Sequence, residues 1–354
     1  MAMSEMMMFS VADANAVSGT DYVVVPAFGE HWEEASTCNL CAVVEWHPVG
    51  ALCGRRYGQC AGCGVVRLID RVAESVLDLL YAHYYHPEPL SRAALEAQLR
   101  NPTFAYRRRR IDSVRGRGEP RIFEVGCGDG NFLAFMQRAG WKVDGSEFGS
   151  EAVSLVRERH GIAITQGEVT KRRPASAPFP VVAAYHVIEH VYRPADWLEQ
   201  VRLLIEPNGL LYLQTPNWNA LSRTLTGLAW ASMTFPQHVY FYTPATLSAL
   251  LRRFGFDVVS VTTWDPWHGP GAARNSLGIR AKQLATGRLP WSATLGNDES
   301  DESSVRRVSG SGCPIVRARG VPQSILQLAG HSLARLESLI GRGEVVDVIA
   351  RRVD

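Results

Sequence analysis

From residue 121 onward, short apolar runs alternate with longer stretches whose apolar positions recur at helical spacing. The runs lie at 122–125, 142–147, 163–166, 181–185, 210–215, 256–261 and 345–351, and most are rich in Val, Ile, Leu or aromatic residues. Between them, 132–140, 151–161, 197–205 and 246–255 carry the three-to-four-residue period of amphipathic helices, three of them closed by a glycine (Gly140, Gly161, Gly255). Strands alternating with helices predict βαβ units and a doubly wound α/β fold on a mostly parallel sheet.

The rest of the chain follows other patterns. Residues 1–35 lack periodicity and are expected to form a leader with one short strand at 22–25. Residues 36–70 are cysteine-rich without helical pattern, and 71–120 read as a helical connector through Val76, Leu79, Leu80, Leu95 and Leu99. A catalytic unit over 121–264 is followed by an insertion, 265–343. Its acidic middle, 296–304, predicts a loop, and 323–340 has helical spacing. Residues 344–354 return to the sheet as its final strand. No internal repeat is seen.

Glu124-Val125-Gly126-Cys127-Gly128-Asp129-Gly130 follows a predicted strand and opens a predicted helix, where glycines let a ligand approach the backbone. The dinucleotide fingerprint requires a third glycine five residues after the first, and that position is Asn131. Glu147 ends the second strand 21 residues after Gly126, placed to accept both hydroxyls of a ribose. A ribose-bearing cofactor without a pyrophosphate fits both facts; a tight turn with no ligand is the alternative reading.

Cys38, Cys41, Cys60 and Cys63 form two CxxC pairs separated by 18 residues, the spacing of a four-cysteine zinc ribbon. A stretch this short has little core, and a bound Zn2+ is the staple it requires. His47 and Cys53 lie between the pairs as substitutes the ribbon does not need. Cys127 is a small residue of the glycine loop, and Cys313 has no evident partner.

The strings FEVGCGDGNFL, VDGSEFGSEAV, YHVIEHVYRPADWLEQVRLLIEPNGLLYLQTPN and HVYFYTPATLSALLRRFGF span about 121–263, and with them the chain resembles the class I S-adenosyl-L-methionine (SAM) dependent methyltransferases. In particular, it resembles the branch related to the ubiquinone-biosynthesis O-methyltransferases. The resemblance implies a Rossmann-like seven-stranded sheet of order 3-2-1-4-5-7-6 with the last strand antiparallel. It implies SAM over the ends of strands one, two and four. Glu124, Gly126, Cys127, Gly128, Gly130 and Phe132 would border the methionine end. Glu147 would take the ribose, Phe148 would flank the adenine, Glu168 and Val169 would border its polar edge, and Tyr185 and His186 would line the methionine side. Where the family has an Asp early in the fourth strand, this chain reads Phe179-Pro180-Val181-Val182. The cysteine stretch is similar to the zinc-binding front end of many bacterial methyltransferases, which continues into a Tyr-Tyr pair, here Tyr84-Tyr85.

His186, Glu189 and His190 stand at i, i+3 and i+4, so on a helix they would share one face. HxxEH also matches an inverted zinc-protease string, a reading the surrounding frame excludes. In the resemblance the position is a strand-to-helix turn at the mouth of the active site, and the matching residues are proposed to hold a divalent ion. Here the first acidic position is His186, less suited to magnesium. Metal-free active-site residues, a metal site and structural caps all stay open. His238 follows the fifth strand and its Pro-Asn loop, at the sheet end that faces the ligand crevice. Its neutral imidazole suits a base taking a hydroxyl proton during methyl transfer, and a bond to its own loop is the alternative. Tyr240 and Tyr242 read equally as pocket wall or core.

The net charge of +2 and 46% hydrophobic content describe a globular chain and give no basis for nucleic-acid or membrane binding. Arg107 to Arg110 read as a solvated helix face. The Asn/Asp-Pro-Pro-Tyr/Phe motif of amino-methylating nucleic-acid enzymes is absent after strand four, so nucleic acid is disfavoured. Neither a signal peptide nor a span of about 18 apolar residues is seen, and a cytoplasmic location with reduced thiols is expected. The expected activity is methylation of a small-molecule acceptor. A hydroxyl is preferred, with His238 or His190 as base and Glu189 and His186 beside them. C- or N-methylation of a sugar or natural-product intermediate is the alternative, and a non-catalytic SAM- and zinc-binding interaction protein is the alternative of another class. A homo-oligomer is compatible with the sequence.

Overall fold

The computed structural model describes residues 31–77, 80, 91–171, 174–287 and 323–353. Thirteen strands are seen there: β1 (Trp32–Glu34), β2 (Trp46–Leu52), β3 (Arg55–Cys60), β4 (Val66–Leu68), β5 (Asp70–Val72), β6 (Arg121–Val125), β7 (Lys142–Glu147), β8 (Thr165–Gln166), β9 (Phe179–Tyr185), β10 (Ile205–Pro216), β11 (Tyr240–Phe241), β12 (Phe256–Thr262) and β13 (Val345–Arg352). The helices are α1 (Arg92–Leu99), α2 (Pro102–Asp112), α3 (Asn131–Arg138), α4 (Ser150–His160), α5 (Pro194–Leu204), α6 (Leu221–Thr226), α7 (Pro244–Arg253), α8 (His268–Thr286) and α9 (Gln323–Leu339).

The central sheet has seven strands in the order β12-β13-β10-β9-β6-β7-β8. Counted from β6, this is the expected 3-2-1-4-5-7-6. β6 pairs in parallel with β7 and β9, and β10 with β9, whereas β13 runs antiparallel to both β10 and β12. The central strands β6, β9, β10 and β13 are largely apolar because both their faces are covered, whereas the outer strand β12 leaves one face to solvent. Alternate residues divide between two layers: Leu211 and Leu213 of β10 join Trp197, Leu198 and Val201 of α5 and Leu247 and Leu251 of α7. Leu210 and Tyr212 instead join Ile111 of α2 and Phe132 and Met136 of α3. β9 forms regularly from Phe179 although the family's Asp is missing there.

A second sheet, β11-β4-β3-β2, crosses from the cysteine module into the catalytic chain, because β11 pairs antiparallel with β4. β1 lies within the stretch expected as leader and pairs with β5. Asn101 caps α2 by accepting from the Thr103 amide at 2.9 Å, with Pro102 in the first turn.

One expectation is corrected here. The arginine run of α2 is only in part a solvated face: Arg109 is exposed, but Arg107 is 6% exposed and Arg110 pairs with the fully buried Asp347 at 2.9 Å. The latter two guanidiniums turn inward because acceptors of β10 and β13 await them on the layer where α2 lies. The strand at 22–25, Leu79, the 81–85 segment with its Tyr-Tyr pair, the acidic stretch 296–304 and Cys313 lie outside the described residues. Among the described residues no helix is long and apolar enough to cross a membrane.

Candidate active site and cysteine centre

β6 delivers the chain into the loop 126–130 at the carboxyl ends of the parallel strands. Gly126 has φ of +66°, and a Cβ there would lie 2.6 Å from a methyl of Val187. Only glycine fits both the backbone angle and the close approach. The amides of Gly126 and Cys127 donate to the Ser146 carbonyl at 2.8 and 3.1 Å, which ties the loop to β7. Gly130, also left-handed, is the N-cap of α3. Glu147 at the tip of β7 accepts from the amides of Gly128 (2.8 Å) and Phe148 (2.7 Å). Burial pushes its pKa up while those amides act in the opposite direction.

Glu124, the last but one residue of β6, is 4% exposed, and its Oε2 has no hydrogen-bond partner among the described residues. Burial raises its pKa well above the usual carboxylate range, opposed by the nearby guanidinium of Arg107. That guanidinium lies 3.7 Å from the ring centre of Tyr185 at the end of β9. Loop 126–130, Glu124, Glu147 and Tyr185 therefore meet at one end of the sheet. Cys127 is buried in the loop, and Phe132 packs in the core against Tyr185, ring centres 5.2 Å apart. Phe148 is half-buried beside Glu147, and Val169 is buried. The Glu168 carboxylate accepts from Thr170 Oγ1 at 2.9 Å and pairs with Lys171 at 3.5 Å.

Past β9 the chain makes a turn, not a helix, over 186–190. His186 is left-handed, with φ of +56°, and its amide donates to the Gln214 carbonyl at 2.7 Å. Glu189 is fully buried: Thr215 Oγ1 donates to its Oε2 at 2.8 Å, and His186 Nδ1 stands 3.3 Å from its Oε1. Burial alone would raise the Glu189 pKa, but His186, His190 and His238 together hold it at about 2. The Nδ1 of His190 faces the Gln237 carbonyl at 3.1 Å and that of His238 the Ser232 carbonyl at 2.8 Å. Carbonyls only accept, so in both rings Nδ1 carries the hydrogen and Nε2 the lone pair. The two rings meet edge to face with centres 4.7 Å apart. Burial, then the neighbouring His190, lowers the His238 pKa to about 3; burial lowers that of His190 too. Tyr240 and Tyr242 are buried behind them.

One ligand atom each from Glu189, His190 and His238 fall within 4.8 Å of one another, a donor set a divalent cation would fit. His186 turns instead toward His268 at the start of α8, ring centres 4.5 Å apart. Gln214, Asp265 and His268 were not singled out from the sequence, and Arg107 was read there only as part of a solvated helix face. Gln214 ends an apolar strand and Asp265 follows one, and a buried polar residue at a strand end was the signal available.

In the cysteine module, the sulfurs of Cys38 and Cys63 are 3.7 Å apart and those of Cys41 and Cys60 3.4 Å, and all four lie within 4.8 Å. A tetrahedral zinc with sulfurs at about 2.3 Å has sulfur–sulfur edges of roughly 3.8 Å, so the four thiols are already gathered for it. The thiol of Cys38 is drawn down in pKa, chiefly by its contact with Cys63. His47 is exposed on β2 and Cys53 sits in the β2–β3 turn; neither joins the cluster.

A family model described as a methyltransferase domain matches residues 81–261, just over half of the 354-residue chain. A ubiquinone biosynthesis O-methyltransferase of Roseobacter denitrificans is 31% identical over 150 residues, 39% of this chain and 60% of that protein. The protein of the same description from Pseudomonas aeruginosa is 26% identical over 170 residues, 44% of this chain and 73% of that one. The chain thus spans three fifths of the first relative's length. A solved structure of a SAM dependent methyltransferase from Archaeoglobus fulgidus is similar with a TM-score of 0.42 and 16% identity, covering 71% of this chain and 93% of that one.

Proposed function

The chain belongs to the class I SAM-dependent methyltransferases, and from that premise we propose that it methylates a hydroxyl of a small-molecule acceptor with a histidine as base. The observation that carries this reading is the pair of neutral imidazoles His190, half-buried in the turn after β9 that packs on the glycine loop, and His238, buried just before β11, which meet edge to face. SAM, when bound, supplies an electrophilic methyl whose thioether leaving group needs no proton. The chain's residues therefore have two tasks, alignment of the acceptor and removal of its proton.

The cradle fits such a nucleoside. Glu124 offers a buried oxygen, without a partner among the described residues, to the ammonium of an amino-acid end, and Arg107 beside it offers a guanidinium to the carboxylate. Glu147 is placed for ribose hydroxyls, with Phe148 and Val169 toward the base and Glu168 at its edge. The Nε2 lone pair of His238 or His190 receives the hydroxyl proton, and the carboxylate of Glu189 stabilises the imidazolium so formed. Cys38, Cys41, Cys60 and Cys63 hold a structural Zn2+ that folds the module in front of the catalytic unit, and the insertion covers the acceptor.

A second reading is favoured by the clustering of Glu189, His190 and His238 ligand atoms: a divalent ion would bind there and lower the acceptor hydroxyl's pKa. One carboxylate and two imidazoles suit zinc, iron or manganese better than magnesium. Turnover of labelled SAM against a panel of phenolic, sugar and amine acceptors tests the assignment. Methylation of phenols lost in His238→Ala or His190→Ala, with SAM still bound, is the expected result. Wild-type turnover by both variants removes the base from the account.

A further inference from the structure

Gln214, near the carboxyl end of β10, is fully buried. Its Oε1 accepts from Arg107 Nη2 at 2.5 Å, and its Nε2 donates to Asp265 Oδ2 at 3.1 Å and to Asp347 Oδ2 at 3.2 Å. A guanidinium cannot accept and a carboxylate cannot donate, so only one of the two amide orientations satisfies all three neighbours. Asp347 is also its cross-strand partner on β13, which fixes that side of the contact in the sheet register.

The two remaining arms lead to opposite sides of the site. Arg107 lies on the Tyr185 ring and beside Glu124, on the cofactor side. Asp265 accepts from the amides of Trp267 (2.8 Å) and His268 (2.6 Å) and from Thr103 Oγ1 (3.1 Å), so it holds the start of α8. His268 in that first turn faces His186, whose own amide is bound by the Gln214 carbonyl.

We propose that Gln214 is a positioning residue that ties the cofactor cradle to the acceptor side: one amide end fixes Arg107, the other fixes Asp265 and with it the start of α8 at His186. The inference rests on the reading of Glu124, Arg107 and loop 126–130 as the SAM cradle. Occupancy of the cradle restrains Arg107, and through this amide the restraint reaches the segment 265–268, alongside the Thr103 bond from the same helix, which Gln214 substitutions leave in place. Asp265, with four acceptances on two oxygens, has no slack to absorb a shift of Gln214.

The test uses the full-length, zinc-loaded protein, S-adenosylhomocysteine as probe, calorimetry for affinity and hydrogen exchange over 262–275. In the wild type, saturating probe is expected to slow exchange in that segment. Arg107→Met weakens the probe by roughly 10–100-fold, the loss of a charged hydrogen bond. Asp265→Asn keeps affinity within about threefold but loses the slowing. Gln214→Met loses both, whereas Gln214→Glu, which keeps an acceptor for Arg107 but no donor for Asp265, restores affinity and not the slowing. A merely structural glutamine would show equal effects for Met and Glu. Bound probe without slower exchange at 262–275 in the wild type, or wild-type behaviour of Gln214→Met, overturns the proposal alone. No heat with the wild type overturns the cradle reading beneath it.

Discussion

The amide of Leu68 donates to the carbonyl of Val239 at 2.9 Å, one residue beyond His238. On the other side, the amides of Val239 and Tyr240 both donate to the Glu189 carbonyl, at 2.8 and 3.0 Å. The segment carrying His238 is thus clamped between β4 of the cysteine module and the turn of the active site. Arg67, paired with Tyr240 across the β4–β11 ladder and 1% exposed, closes the join by donating to the Thr37 carbonyl at 2.9 Å. Cys60 ends β3 and His238 stands two residues before β11, so the cysteine cluster and the candidate base both border one four-stranded sheet.

Removing that metal is therefore expected to loosen the acceptor side and spare the cofactor side. The purified protein should carry zinc at the four cysteines. Chelation, or Cys60→Ser, should lower Tm by roughly 5–10 °C, since metal binding to such a module is folding energy. Hydrogen exchange should rise at 57–68 and 238–242, while affinity for S-adenosylhomocysteine stays within about threefold. Unchanged exchange at 238–242 in the zinc-free protein would contradict the clamp.

Gly126 in the cradle and Gly116 in the loop between α2 and β6 provide a controlled comparison. Both are left-handed, φ of +66° and +72°, but a Cβ at Gly116 meets nothing within 4 Å whereas one at Gly126 strikes Val187 at 2.6 Å. Gly116→Ala is expected to cost about 1 kcal/mol from backbone strain alone. Gly126→Ala adds overpacking, for about 2–4 kcal/mol in total, and only this variant should weaken nucleoside binding. Urea unfolding and calorimetry on the two variants check the ordering.

Replacing His238 by Gln is expected to reduce turnover by roughly 10²–10⁴-fold with cofactor affinity nearly unchanged, the signature of a lost general base. Metal analysis of the same variant separates the two readings of the cluster. If Glu189, His190 and His238 hold an ion, the wild type carries metal beyond the cysteine-bound zinc, and both His238→Gln and Glu189→Gln lose that excess.

Much of this was legible from residues alone because the physics is local. Strands covered on both faces show as continuous apolar runs, the glycine loop must be glycine at Gly126, and two CxxC pairs declare their own ligand set. What escaped was decided by distant partners. The arginines of α2 look solvated in isolation, and only Gln214 and Asp347, brought beside them by the sheet order, turn Arg107 and Arg110 inward. β11 is two residues long, too short for any periodic signal, yet it joins the cysteine module to the catalytic unit. The HxxEH spacing predicts a shared helix face, but the left-handed backbone of His186 breaks the turn, so His186 faces His268 while His190 faces His238.

A last prediction concerns pH and lies where α6, α9 and β13 meet. Ser222 donates through its hydroxyl to Glu344 and through its amide to Glu337, at 2.5 Å for the latter, and Trp230 Nε1 donates to Glu344 at 2.7 Å. Burial, with the neighbouring Glu337, pushes the Glu344 pKa up to about 8, and burial pushes Glu337 up to about 7. A carboxyl whose folded pKa lies above its unfolded value binds its proton more tightly when folded. Its contribution to stability is complete below the ordinary carboxyl range near 4.5 and is lost as pH rises through 7 to 8. Unfolding free energy should therefore fall between pH 5.5 and 8.5, on the order of 5 kcal/mol from this pair. Asp347, raised to about 6, slopes the same way, so the wild-type curve alone does not isolate the pair. Glu344→Gln does: its amide accepts from Trp230, donates to the Ser222 hydroxyl and cannot ionise. The difference between wild type and variant should grow with pH in the variant's favour, and a difference constant from pH 5.5 to 8.5 in denaturant melts would show that Glu344 does not titrate in this window.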